Sequence, residues 1–578
     1  MQNDKNQQQN REQIDTEPGL QNSFNESNDP NQSLLKDQKE KLHGLSLQEV
    51  YLKIGGFSYF QWWSSTLFTY GLATIGMLYS ALASLEKQPK YVCYNEDGTT
   101  FECFAQQICS DPNLKYEVDW SAITSLHNWI EDLNLRCESS TKVGLIGSMY
   151  FVGWVIAAFI LPRMSDFYGR KKIFLLSMFG CATTYMVIIF SRKIELTIAL
   201  MFILGFFSVG RASVGYLYMQ ELTPVKNQVI VGSICQMTSG LMTIFICLYF
   251  MFISKYWIPF QIFGCSTMFL VTITVWFMPE SPKFLISKKR YDEARTSIKF
   301  IAWVNRYKGE LNFKFDRELQ DSKGHSQRYD LNQSNITMNQ TIIEDKHSMM
   351  ETHSKNQRDL DLLKSPMSKI KEEKELTGSL RDLFKIRRHA INLTILVTIW
   401  IASSFNYYLI NFQLKYIEGD FFINSIVASL VEVPAFLLSG YLYQKLGVKF
   451  VLPFSFSVSI VGSILLIIFY DQVHLIPVFI LLARFGVGST FNICYLANSQ
   501  MFPTIFSGTA FGICNIFAKL ATIISPMLAE VERPVPMTVF TILSGLAGFL
   551  ALFLIKDDSK EVKKQKKIDK LNSKDDAL

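Results

Sequence analysis

Pro162–Lys172 reads PRMSDFYGRKK and lies between two apolar runs, Val143–Leu161 and Ile173–Phe190. Each run is long enough to cross a bilayer as a helix. The short segment between them carries four bases, Arg163, Arg170, Lys171 and Lys172, and one acid, Asp166. Two spanning helices joined by a tight basic turn form a hairpin whose turn is expected on the cytoplasmic face. Gly169 permits the sharp turn. Asp166 can accept hydrogen bonds from a neighbouring helix N-terminus or pair with an arginine. One stretch therefore indicates an all-α membrane protein.

The bulk of the chain extends that reading. Of 578 residues 49% are hydrophobic and only 19% are charged, below the roughly 25% of soluble domains. Mean hydropathy is +0.15 despite three long polar segments, so the apolar residues are concentrated in runs that lipid tolerates. The net charge of +6 is small. The bases gather in segments expected to be cytoplasmic, which makes them topology signals and not a nucleic-acid surface.

Twelve spans are expected, at roughly 60–85, 143–162, 172–191, 195–219, 229–253 and 257–278, then 389–412, 421–443, 449–470, 475–498, 508–529 and 535–555. They define two six-helix halves, 46–278 and 389–555, arranged around a central cavity. Residues 1–45 are polar, lack a signal-peptide core and are expected to be a disordered cytoplasmic tail. Residues 279–388 form a cytoplasmic linker holding a short helix and a disordered insert, 308–375, and 556–578 form a basic cytoplasmic tail.

The loop 87–142 then lies outside. It holds Cys93, Cys103, Cys109 and Cys137, read as two disulfides with three pairings open. The six other cysteines fall in or near spans and are expected to be reduced core residues. Sequons at Asn332, Asn335 and Asn339 would put the linker outside, but Asn25 and Asn31 begin sequons too, and the bases outweigh them.

Asp166-x-x-Gly169-Arg170-Lys171-Lys172 resembles the signature loop of the major facilitator superfamily, which implies a transporter with that family's fold. MPESPKFLISKKRYDEARTSIKFIAWVN, Met278–Asn305, resembles the exit of the sixth span in its organic ion transporters. WIEDLNLRCESS (Trp129–Ser140), SLVEVP (Ser429–Pro434), SSFNYYLINF (Ser403–Phe412), and Met501–Thr504 with Ser525–Pro526 resemble further segments of that family. The resemblance omits the tails and roughly 308–375. It implies a charged gate at the cytoplasmic ends of the first-half spans, made of Asp166, Gly169, Arg170, Glu221 and Glu280. The plainer reading is that Glu221 and Glu280 merely end helices. Gln228, with Lys226 nearby, departs from a charged position of the family in the first half, and Gln444, Gln500 and Ser507 depart in the second, so the second half of the gate is weaker.

Charges inside spans cost roughly 2.5–3.5 kcal/mol each on insertion scales, so they usually face a wet cavity. Arg211, Glu432, Arg484 and Lys519 are such residues, with a structural ion pair as the alternative for Glu432 and Arg484. Lys519 falls where the resemblance places Asp in cation carriers and Arg in anion carriers. Trp400, Tyr407 and Tyr408 complete the candidate substrate contacts on the seventh span.

No phosphate-binding loop occurs, and the seven histidines lack metal-ligand spacing. No enzyme, cofactor or metal is expected. The expectation is a monomeric, multi-pass carrier of small organic ions, plasma-membrane rather than internal, with both termini cytoplasmic. Three bases against one carboxylate favour an anion or zwitterion over a cation. A sugar or polyol porter and a non-transporting receptor are the alternatives.

Overall fold

A computed structural model describes residues 44–74, 76–321, 383–384, 387–502 and 504–555. The first half contains helical spans Tyr59–Leu85, Ser140–Tyr168, Arg170–Phe190, Ile194–Leu222, Val225–Phe252 and Trp257–Trp276. The second contains Arg387–Gln413, Phe421–Leu446, Val448–Ile468, Ile476–Met501, Thr504–Ala529 and Val535–Ala551. Ten of these are long and apolar enough to cross a bilayer; the apolar stretches Gly240–Phe252 and Val535–Ala551 are shorter. The twelve-helix reading holds. The expected 1–45 tail lies outside the described residues up to 43, as does the 308–375 insert from 322 on and the whole 556–578 tail.

Helices approach closely where small residues remove side-chain bulk, as is usual in lipid. The second and fourth spans are an example. A Cβ on Gly153 would strike the Phe202 carbonyl, and one on Gly205 would strike the Tyr150 carbonyl.

Four spans are not continuous helices. In the first, Ser80 and Ala81 separate Gly76–Tyr79 from Leu82–Leu85, and in the eleventh, Ile523 and Ile524 separate Thr504–Thr522 from Ser525–Ala529. The fourth contains a π-helical turn, Gly210–Val214. The eighth breaks at Val431, and a new helix starts at Glu432. Such interruptions in membrane helices free backbone groups beside cavities.

The loop between the first two spans is not all-helical. It carries β1 (Tyr91–Tyr94), β2 (Thr100–Cys103) and β3 (Lys115–Val118), an antiparallel sheet ordered β2-β1-β3. Its disulfides are Cys93–Cys103 and Cys109–Cys137. Strands of four residues in a polar, cysteine-rich loop are too short to announce themselves in sequence. The loop is fastened to the spans through Asn128, which donates to Ser84 O (2.8 Å) and Lys87 O (2.9 Å), and Trp257, which donates to Asp132 (2.7 Å). Below, this face is called the disulfide side, and the face with Pro162–Lys172 the basic-loop side. The six other cysteines are buried and form no disulfide among the described residues.

After the sixth span, Ser281 caps the helix Pro282–Ser287, and the amphipathic helix Tyr291–Val304 follows. Asn305 ends it and accepts the Phe60 N–H at 2.8 Å, tying it to the first span. A separate small unit comprises described residues 44–46 and 310–321, where Leu45 exchanges backbone hydrogen bonds with Lys314 and Asp316.

Candidate functional site

On the basic-loop side, the sequence expectations converge on one cluster. Gly169 holds φ of 114°, a conformation side chains rarely adopt, and so joins the second and third spans without a loop. Arg170 then begins the third span. Its guanidinium reaches Asp166 at 2.5 Å, Ser165 at 3.0 Å and Glu221 at 3.4 Å. Glu221 also accepts from the Ser281 hydroxyl at 2.5 Å. The acid at the helix N-terminus is Glu280, not Asp166. Its Oε1 accepts the backbone N–H groups of Arg170 (3.1 Å), Lys171 (3.0 Å) and Ser281 (2.9 Å). Burial raises the Glu280 carboxyl above its usual range, while those three N–H bonds pull it back. Asp166, Gly169, Arg170 and Glu221 belong to the first half, and Glu280 to the first residues of the linker after it.

Near mid-span, two bases of the second half receive opposite treatment. Arg484 pairs with Glu432, stacks over the Tyr407 ring (4.4 Å to its centroid), and donates to Tyr407 O at 3.0 Å. The Tyr407 hydroxyl donates to the same Glu432 oxygen at 2.9 Å. Glu432 sits in the first turn of its helix, where the dipole favours an acid. The eighth-span break therefore places this carboxylate against the tenth span.

Lys519 is equally buried but has no carboxylate partner among the described residues. Its ammonium donates to the Tyr408 hydroxyl at 2.9 Å. It also lies 4.2 Å from the Tyr408 ring centre, 5.5 Å from Trp154 and 5.6 Å from Phe151. Such cation–π contacts stabilise a desolvated cation by about 2 kcal/mol. Tyr79, just before the interruption at Ser80 and Ala81, stacks on Tyr150 (4.9 Å) and meets Tyr408 and Phe412 edge-on (5.8 and 6.0 Å). Its hydroxyl is buried with no partner among the described residues. The halves thus meet around a cluster of aromatic rings that holds the Lys519 ammonium.

Two expected contacts sit elsewhere. Arg211, on the π-helical turn, donates to Leu72 O (2.5 Å) and Gly71 O (3.1 Å). It ties the fourth span to the first. Trp400 is 1% exposed and packs between Tyr495 (4.9 Å) and Phe511 (5.3 Å) inside the second half. Sequence reasoning overlooked Tyr79, Tyr150, Phe151 and Trp154. The signal for the last three was aromatic spacing of three and four residues on the second span; Tyr79, on the first, had none.

The chain matches the family model "Major Facilitator Superfamily" over residues 118–526 and 425–575. It is 24% identical over 466 residues to human organic cation/carnitine transporter 2, covering 78% of this chain and 72% of that protein. It is 25% identical over 454 residues to mouse solute carrier family 22 member 3, covering 77% and 72%. Among solved structures it resembles the partially occluded, inward-open xylose transporter of E. coli, with a TM-score of 0.52 and 12% identity over 88% of this chain and 99% of that one. This last likeness concerns the fold.

Proposed function

The chain belongs to the Major Facilitator Superfamily, and from that premise we propose that it carries small organic ions by alternating access, favouring anions or zwitterions over cations. One observation supports the charge preference: Glu432 neutralises Arg484, whereas Lys519 faces the interface between the halves with aromatic rings and, among the described residues, no carboxylate. Burying an unpaired ammonium costs several kcal/mol, and an anionic substrate group would recover much of it. Tyr79, Phe151, Trp154 and Tyr408 would pack the organic body of the substrate, as aromatic walls do in ligand pockets. Tyr407, Glu432 and Arg484 would form the floor of this site, Arg211 would support it through the first span, and Trp400 would back it from within the second half. The Asp166–Arg170–Glu221–Glu280 cluster around Gly169 would shape the basic-loop gate. That side would face the cytoplasm, with the disulfide side outside a plasma membrane and the carrier working as a monomer without nucleic acid or cofactor.

The test is uptake of labelled organic anions, zwitterions, cations and sugars into proteoliposomes. Lys519→Asp should lower anion uptake at least about tenfold, the loss of roughly 1.4 kcal/mol or more expected for an unpaired buried charge. Wild-type flux confined to cations, unaltered in Lys519→Ala, refutes the charge assignment. Binding without flux would make the chain a receptor.

A further inference from the structure

The disulfide side holds a charge cluster at three span ends. Glu86 follows the first span, Lys415 the seventh and Glu530 the eleventh. The Lys415 ammonium lies 2.6 Å from Glu86 and 2.6 Å from Glu530. All three side chains are buried, at 3%, 1% and 6% exposure for Glu86, Lys415 and Glu530. Lys87 donates to the Lys415 carbonyl at 2.6 Å, and the Tyr416 hydroxyl donates to Glu530. Beside them the second and eleventh spans touch: Ser148 donates to Ile523 O at 2.7 Å, and a Cβ on Gly144 would come within 2.9 Å of the Met527 backbone.

We propose that Glu86, Lys415 and Glu530 form a latch that holds the disulfide side shut and opens once per transport cycle at the Glu86–Lys415 contact. This rests on the alternating-access reading above. Glu86 belongs to the first half, Lys415 and Glu530 to the second. Separation of the halves on this side must break the first contact and can leave the second intact. Lys415 therefore never stands unpaired. Burial alone would favour a neutral lysine, but the two carboxylates overcome that and keep the ammonium charged. Glu86 retains one buried, unpartnered oxygen, so opening returns an incompletely satisfied group to water. A buried ion pair suits such a joint. Its Coulombic gain is largely cancelled by desolvation, so the closed and open states stay close in energy. An apolar seal of the same area would favour closure outright.

Below the latch, Ser80 lines a small cavity between the halves together with Tyr79, Thr243, Asn411 and Ser425. In the full-length carrier, Ser80→Cys in intact cells reports opening through its labelling by an impermeant maleimide, and no substrate is needed. Lys415→Met, which leaves two carboxylates facing each other, should label at least about tenfold faster, as expected when one partner of a buried pair is removed. Glu86→Lys, which repels across the same contact but keeps Lys415–Glu530, should also label faster. Lys415→Arg should keep the wild-type rate. A wild-type rate in either repulsive variant at the cell surface overturns the latch, as does an equally fast Lys415→Arg. Failed anion uptake with these rates intact would refute the substrate reading alone. Labelling of every variant only after permeabilisation would invert the proposed orientation.

Discussion

The two ends of the molecule manage charge in different ways. On the basic-loop side, among the described residues, Asp166, Arg170, Glu221 and Glu280 bond to groups of the first half and of the linker's first residues, and to none of the second half. On the disulfide side, Lys415 of the second half holds Glu86 of the first. A cluster confined to one half stiffens that half and moves with it. A cluster shared between halves changes its energy when they separate, so it biases the equilibrium between states. On the alternating-access reading proposed above, the difference would make the first cluster a brace for the gate's first-half wall and the second a switch.

The largest expected effect tests the first assignment. Glu280→Ala removes the acceptor of three backbone N–H groups at the junction of the second, third and sixth spans. Leaving them unsatisfied should cost about 3 kcal/mol, and Glu280→Gln should lose only a fraction of that. Thermal unfolding of the purified carrier in detergent checks the order. Equal melting of both variants and wild type would mean that the cluster does not support the fold.

An intermediate effect tests the second. Burial raises the Glu86 carboxyl to about 7, with Lys415 lowering it and Glu530 raising it. Lys87, Glu418, Arg533, Tyr79 and Tyr416 complete the titratable surroundings. Opening would return Glu86 to water and to an ordinary value of about 4.3. Protons bind more tightly to the closed state, so acid stabilises closure. The gain grows as pH falls from 7 toward 4.3 and is absent above 7. The thiolate fraction of the Ser80→Cys reporter falls as pH falls in every variant, so the readout is the ratio of the Ser80→Cys labelling rate to that of the same reporter in Glu86→Gln. That ratio should fall about tenfold between pH 7.5 and 5.5, within the span that such a shift permits. A ratio that rises in acid would reverse the sign and break the argument.

What the sequence disclosed depended on where a residue stood along its span. Glu432, Arg484 and Lys519 interrupt apolar runs, so they stood out. Their separate roles did not, because pairing is decided by the phase of three helices and by the break before Glu432. Arg211 stood out too, but the π-helical turn that aims it at the first span has no sequence signal. Glu86, Lys415 and Glu530 lie at span ends beside polar loops, where charges are ordinary. Nothing local distinguishes a latch there from three solvated termini. Tyr79 was hidden in a span whose interruption at Ser80 and Ala81 no proline marks.

The smallest effect belongs to Asp166→Asn. Asp166 is 62% exposed and its partner Arg170 is four residues away on the same hairpin. Pairs of this kind contribute about 0.2–1 kcal/mol, and water screens them. Arg170 retains Ser165, Glu221 and the Phe284 ring, so the variant leaves no buried charge unpaired. Transport should slow no more than about fivefold, the rate equivalent of that range, with half-saturation unchanged because the residue lies far along its span from Lys519. Steady-state flux against substrate concentration separates the two parameters. Flux abolished with binding preserved would mean that Asp166 pairs across the halves once the disulfide side opens. The basic-loop cluster would then be a second latch, and the contrast between the two ends would hold for only one of the carrier's states.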